Sequence, residues 1–129
     1  MRLLLDTHIA VWWQLESPRL TAELRRLIQG SDEPVFVSRA SLWELAIKAT
    51  VGKLNFDLRQ FCERVPENGF QWLPISEQHL LAVAELALFD DHKDPFDRLL
   101  VAQSLTEPLI LLTADAKLAR YGSTIRVIS

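Results

Sequence analysis

Leu3-Leu4-Leu5-Asp6-Thr7-His8 places three consecutive aliphatic side chains directly before an acid, a hydroxyl and an imidazole. A short continuous apolar run suits a strand buried on both faces, as in a parallel sheet, although the run by itself also fits a piece of buried helix. The segments that follow settle the choice. Residues 7–15 read as a helix with Ile9, Trp12, Trp13 and Leu15 on its buried side, and Ser17-Pro18 breaks the chain. Residues 20–28 form a second helical pattern, with Leu20, Leu24, Leu27 and Ile28 aligned and Gly30 closing it.

The strand pattern then recurs. Glu33-Pro34 turns into Val35-Phe36-Val37, and Ser38 is placed to cap a helix over about 40–50 that Gly52 ends. A helix over 58–65 stops near Pro66 and Gly69, and a third strand falls at 70–73 or 73–75. Ser76 caps a helix through Leu88, with Glu77 in its first turn. The polar loop Phe89-Asp90-Asp91-His92-Lys93 leads into Asp94-Pro95-Phe96-Asp97-Arg98, a sharp helix start with Asp94 as N-cap and Pro95 first inside. Phe96, Leu99, Leu100 and Ala102 make that helix part of the core. A strand at 109–112, a short helix at 114–121 and a last strand at 125–128 complete the chain. Short apolar strands alternating with helices predict a three-layer α/β sandwich with a mainly parallel five-stranded sheet, one domain over residues 1–129.

Bulk properties bound the function. A length of 129 residues suits one hydrophobic core, and a formal net charge of -3 argues against a DNA-packaging or polybasic RNA-coating protein. It leaves room for a nuclease, since an acidic, metal-loaded pocket can sit beside a local basic rim. Cys62 is the single cysteine, so no internal disulfide forms; it reads as a buried core residue and fits a reducing compartment. No stretch approaches the ~20 apolar residues of a membrane span. The apolar start breaks at Asp6, too early for a signal peptide, and a cytoplasmic protein is expected. The sequence has no repeat, low-complexity tract or linker.

In open parallel sheets, ligands bind beyond the carboxyl ends of the strands. Asp6 follows the first strand, Glu44 lies early in the helix after the second, and Asp115 comes just after the fourth. Asp97, in the first turn of its helix, reaches the same edge if that helix starts there. Carboxylates converging in this way repel one another unless a cation joins them, and Mg²⁺ or Mn²⁺ prefers such oxygen ligands. A divalent ion so held lowers the pKa of a water and stabilises charge developing on a phosphoryl group, which is the logic of a metal-dependent nuclease.

Each acid also has a structural reading. Asp6 could cap the first helix, Glu44 could pair with Lys48 at i+4, and Asp97 and Asp115 are favourable first-turn acids, the latter with Thr113 as N-cap. Asp94 ranks below Asp97 because capping already explains it. Ser41, Glu44 and Lys48 share one side of their helix. His8, His79 and His92 lack zinc-type spacing, and His8 alone lies beside the site, as a candidate substrate contact. Lys48 and Arg98 are the cations placed for phosphate contact, because their helices start at the acidic edge. Trp12, Trp13, Trp43 and Trp72 read as core or subunit interface.

Asp6-Thr7-His8 after an apolar strand, Ser41-x-x-Glu44-x-x-x-Lys48, Asp94-Pro95-Phe96-Asp97-Arg98 with Ala102-Gln103, and Leu112-Thr113-x-Asp115 occur in an order that resembles PIN-domain ribonucleases, above all the VapC-type toxins of type II toxin–antitoxin pairs. The resemblance spans residues 3–127. It implies a Mg²⁺- or Mn²⁺-dependent endoribonuclease in which a metal-activated water cleaves RNA. Asp6 and Asp97 would be the firmest metal ligands, Glu44 and Asp115 would complete the set, and Thr113 would support it. It also implies a homodimer and an antitoxin partner that blocks the acidic site. His8 stands where many relatives have Asn. The alternative is a catalytically weak PIN-like RNA- or protein-binding module. A phospho-acceptor receiver fits poorly, because the first strand offers only Asp6 and the third ends without an acid.

Overall fold

The computed structural model describes residues 1–128. Strands β1 (Leu3–Leu5), β2 (Val35–Ser38), β3 (Gln71–Leu73), β4 (Ile110–Thr113) and β5 (Ile125–Val127) form one sheet in the order β3-β2-β1-β4-β5. Every neighbouring pair is parallel, and Leu4 sits between Phe36 on one side and Leu111 on the other. Six α-helices flank it: α1 (Thr7–Gln14), α2 (Ala22–Gln29), α3 (Arg39–Thr50), α4 (Leu58–Glu67), α5 (Glu77–Glu85) and α6 (Pro95–Thr106).

The two-residue period of the strands divides the core. Leu3, Leu5, Val35, Val37 and Leu112 face one layer, against Ile9 and Ala10 of α1, Leu24 and Ile28 of α2, and Phe61 and Val65 of α4. Leu4, Phe36 and Leu111 face the other, against Leu99, Leu100 and Val101 of α6. Leu3, Leu4 and Leu5 are fully buried, which contributes about 1.5–3 kcal/mol for each side chain. The continuous apolar run is therefore explained by a strand with helices on both faces.

Several boundaries differ from the sequence expectation, each for a local reason. Helix α2 starts at Ala22 instead of residue 20, because the Thr21 hydroxyl caps it by accepting the Leu24 N–H at 3.2 Å. Helix α4 continues through Pro66 to Glu67, and the Asn68 N–H closes it on the Arg64 carbonyl. Helix α5 ends at Glu85, short of Leu88, and Leu86 is already extended. The Arg98 guanidinium takes the carbonyls of Val83 and Ala87 at this end. The expected helix at 114–121 is a 3₁₀ helix, Ala116–Tyr121, and its N-cap is Asp115 itself, not Thr113. Leu15, expected on the buried side of its helix, is exposed.

Candidate active site

The chain runs outward from β1 to β2 and β3, then returns to lay β4 on the opposite side of β1. The reversal of strand order leaves a crevice beyond the carboxyl ends of β1 and β4. Asp6 emerges into it from β1, and Thr113 and Asp115 from β4. The Asp6 N–H still donates to the Leu112 carbonyl at 3.0 Å, while the Asp6 carbonyl accepts the first helical bond of α1 from the Ala10 N–H.

Asp6 stands at the N-cap position of α1, yet its side chain makes no capping bond. The Thr113 hydroxyl instead donates to Asp6 Oδ2 at 2.7 Å and accepts the Asp115 N–H at 3.1 Å. Asp6 is 3% exposed, and its Oδ1 has no hydrogen-bond partner. A carboxylate in that state is costly unless something else engages it. Thr7 and Ser41 share a buried 2.8 Å hydroxyl bond that joins the starts of α1 and α3. Ser41 is thus placed to hold α3, and with it Glu44, against the crevice.

Asp94 caps α6 by accepting the N–H groups of Phe96 and Asp97 at 2.9 and 3.0 Å, which frees the Asp97 carboxylate from that duty. Burial, followed by the negative charges of Asp6, Asp94, Glu44 and Asp115, pushes the Asp97 carboxyl up to about 8. Burial likewise raises Asp6, against the opposing pull of the Thr113 hydrogen bond, the His8 charge and the Thr7 N–H. Acids from separate parts of the chain therefore act on Asp97 and Asp6 in the folded molecule. Glu44 also lies 3.4 Å from Lys48 Nζ, so its helical pairing and its proximity to the acids hold together.

Two residues left out of the site on sequence face this region: Arg19, and His92, which corrects the expectation that His8 alone of the histidines lies beside the acids. His92, buried, places Nε2 3.2 Å from Asp97 Oδ2 and Nδ1 2.9 Å from the Tyr121 hydroxyl. His92, Asp97 and Asp115 each offer a ligand atom within 4.8 Å of the others. Its only sequence signal was its position in the polar loop five residues before Asp97. Arg19 joins Asp6, His8, Trp12 and Asp115 around an open cleft of about 250 Å³, next to the buried carboxylate. A larger cleft of about 650 Å³, by Gln14, Arg25 and Arg64, contains none of these acids.

Arg98 does not serve the acidic edge. Its guanidinium donates to the Ala87 and Val83 carbonyls and to the Tyr121 hydroxyl, tying α6 to α5. A helix that starts at the edge fixes where its first residue lies, and the long arginine side chain reached backbone acceptors on the far side. The donor set that remains is chiefly oxygen, strongly self-repelling and partly unpartnered. Such a set fits a hard divalent cation held by Asp6, Asp97, Glu44 and Asp115.

The family model described as PIN domain matches residues 3–123. This chain belongs to the PIN domain family. This PIN domain is 32% identical over 126 residues to Ribonuclease VapC22 of Mycobacterium tuberculosis, an alignment spanning 92% of this chain and 91% of that protein. Its fold is similar to that in the crystal structure of VapBC2 from Rickettsia felis bound to a DNA fragment from their promoter. That match has a TM-score of 0.67 and 17% identity, covering 99% of this chain and 98% of the other. The crystal structure of DNA-bound VapBC from Salmonella typhimurium matches with a TM-score of 0.71 and 17% identity, over 99% and 97% of the two chains. The expected α/β sandwich and the expected family are both borne out.

Proposed function

We propose that this PIN domain is a metal-dependent endoribonuclease and the toxin of a toxin–antitoxin pair. The observation that carries the reading is the buried Asp6 carboxylate with a free Oδ1, in a crevice where Asp6, Glu44 and Asp115 all raise the Asp97 carboxyl. Likeness along nearly the whole chain to a ribonuclease supports RNA as the substrate. The VapBC complexes among its structural neighbours support an antitoxin as the partner.

In this reading Asp6 and Asp97 hold Mg²⁺ or Mn²⁺, with Glu44 and Asp115 completing the site directly or through water. The bound ion supplies a water of lowered pKa and a counter-charge for the phosphoryl oxygens. Thr113 fixes the orientation of Asp6 through its 2.7 Å bond. Lys48 and Glu44 sit as a pair at the rim, so Lys48 is free to exchange toward a backbone phosphate at little cost. Arg19 and His8, on the cleft beside Asp6, give the strand a second point of charge contact. The Pro95-first start of α6 keeps Asp97 in the helix's first turn, where its N–H is already satisfied by Asp94.

The same acids give an antitoxin its target. An Arg guanidinium pairs with carboxylates through parallel hydrogen bonds, so a basic tail inserted among Asp6, Glu44 and Asp97 would compete with the ion. A homodimer finds support in Trp43, Ile47 and Val51, which expose one apolar stripe along α3, Trp43 at 54%. Molar mass in solution tests the dimer.

The deciding experiment is incubation of total cellular RNA with the purified protein, with and without Mn²⁺, beside Asp6→Asn. Cleavage that needs both the ion and Asp6 and leaves 5′-phosphate ends upholds the reading. Cleavage indifferent to either rejects it.

A further inference from the structure

His92 brings a nitrogen donor against Asp97 and Asp115 in the acidic crevice, and it is held there from behind. The Tyr121 hydroxyl lies 2.9 Å from Nδ1, and Arg98 NH1 donates to that same phenol oxygen at 3.3 Å. The phenol oxygen has lone pairs enough to accept both Arg98 and an Nδ1–H. The His92 ring also lies edge-on to Tyr121, with centroids 5.5 Å apart, and the His92 N–H donates to the Phe89 carbonyl at 3.1 Å. Ring and backbone are both fixed. Nε2 is the atom left facing Asp97 and Asp115.

The geometry points to His92 Nε2 as a direct ligand of the divalent ion, making this site a mixed nitrogen–oxygen centre that prefers Mn²⁺ over Mg²⁺. The inference rests on the metal-dependent reading above. Three observations carry it. His92 Nε2 and Asp97 Oδ2 are 3.2 Å apart, close to the ~3.0 Å edge of an octahedron whose bonds are about 2.1 Å. The third donor, on Asp115, lies within 4.8 Å of both. And the buried, unpartnered Oδ1 of Asp6 belongs to the same crevice, where Asp6 exerts the largest charge effect on Asp97. A ligating imidazole commonly donates its other ring N–H to a fixed acceptor, which is the place Tyr121 occupies here. Both ions take oxygen ligands, but Mn²⁺, a first-row transition ion, accepts an imidazole nitrogen more readily than the harder Mg²⁺.

The test is pulsed electron paramagnetic resonance of the Mn²⁺-loaded full chain, with natural-abundance and ¹⁵N-histidine protein. A histidine nitrogen coupling that changes with the isotope, persists in His8→Gln and vanishes in His92→Gln is the expected result. Calorimetric titration of His92→Gln should show Mn²⁺ affinity reduced roughly 10-fold or more, with Mg²⁺ affinity changed less. The wild-type spectrum keeps the test decisive even if His92→Gln misfolds. Bound Mn²⁺ without histidine nitrogen coupling overturns the ligand assignment and leaves the metal-dependent reading standing. No bound Mn²⁺ in the wild-type protein overturns both.

Discussion

The Thr113 hydroxyl donates to Asp6 Oδ2 at 2.7 Å across a sequence separation of 107 residues. Removing it in Thr113→Val leaves Asp6 buried with no side-chain donor, and leaves the Asp115 N–H without its acceptor. The cost of such an unsatisfied buried group is about 1–3 kcal/mol. Thermal melting should fall accordingly and divalent-ion binding should weaken, while Thr113→Ser, which keeps the hydroxyl, should restore both.

Asp6→Asn and Asp97→Asn should abolish RNA cleavage without unfolding the protein. Each replaces a buried carboxyl whose ionisation the crowded set opposes, so the metal-free fold loses a source of repulsion. Circular dichroism and melting should be unchanged or improved. Wild-type turnover by either variant at saturating Mn²⁺ would overturn the site assignment.

The raised Asp97 carboxyl predicts a pH dependence with a definite sign. In the unfolded chain Asp97 loses its proton near its ordinary value of 3.8, and in the folded protein near 8. Between those values the folded state binds the extra proton, so this group's stabilising contribution is full below about pH 4 and is lost as pH rises toward 8. Metal-free protein should therefore melt lower at pH 8 than at pH 5, by about 3 °C or more, and Asp97→Asn should flatten the trend. Because ligands must be deprotonated to bind, divalent-ion affinity should rise over the same interval.

Arg98 and Arg19 should separate structure from substrate binding. Arg98→Ala frees the Val83 and Ala87 carbonyls and should cost roughly 1–3 kcal/mol of stability. Arg19→Ala should leave melting unchanged but weaken RNA binding and reduce its salt dependence, as loss of a phosphate contact does. Melting curves and filter binding at two salt concentrations distinguish the outcomes.

The parts of the molecule legible in the sequence are those governed by periodicity. Leu3-Leu4-Leu5 and Val35-Phe36-Val37 are strands covered on both faces, and Asp94-Pro95 starts α6 where expected. The acids after β1 and β4 reach the same crevice because strand order alone puts them there. What escaped was decided by side chains reaching across space. Arg98 ends α5 early by binding its carbonyls, and Thr21, not Leu20, sets the start of α2. His92 enters the site through a turn closed on Phe89 and a ring held by Tyr121, neither visible as a pattern. Asp6 taken alone reads more readily as a helix cap than as a ligand, and the structure shows that its side chain makes no capping bond.

The central strand β1 finds its partners late. It pairs with β2 and with β4, and β4 lies near the other end of the chain. Such long-range parallel pairing forms slowly, after the intervening chain is available. Domains are assembled as the ribosome extends them, so the crevice does not exist while β4 is still unsynthesised. Between the addition of residue 97 and that of residue 113, a nascent chain carries Asp6, Glu44 and Asp97 without the Thr113 hydroxyl or the Asp115 carboxylate. Chains stalled on the ribosome before residue 110 should accordingly leave RNA intact, and the activity should arrive abruptly as the last strands are released. A nuclease built in this order is harmless to the message that encodes it until the strand carrying Thr113 has been translated.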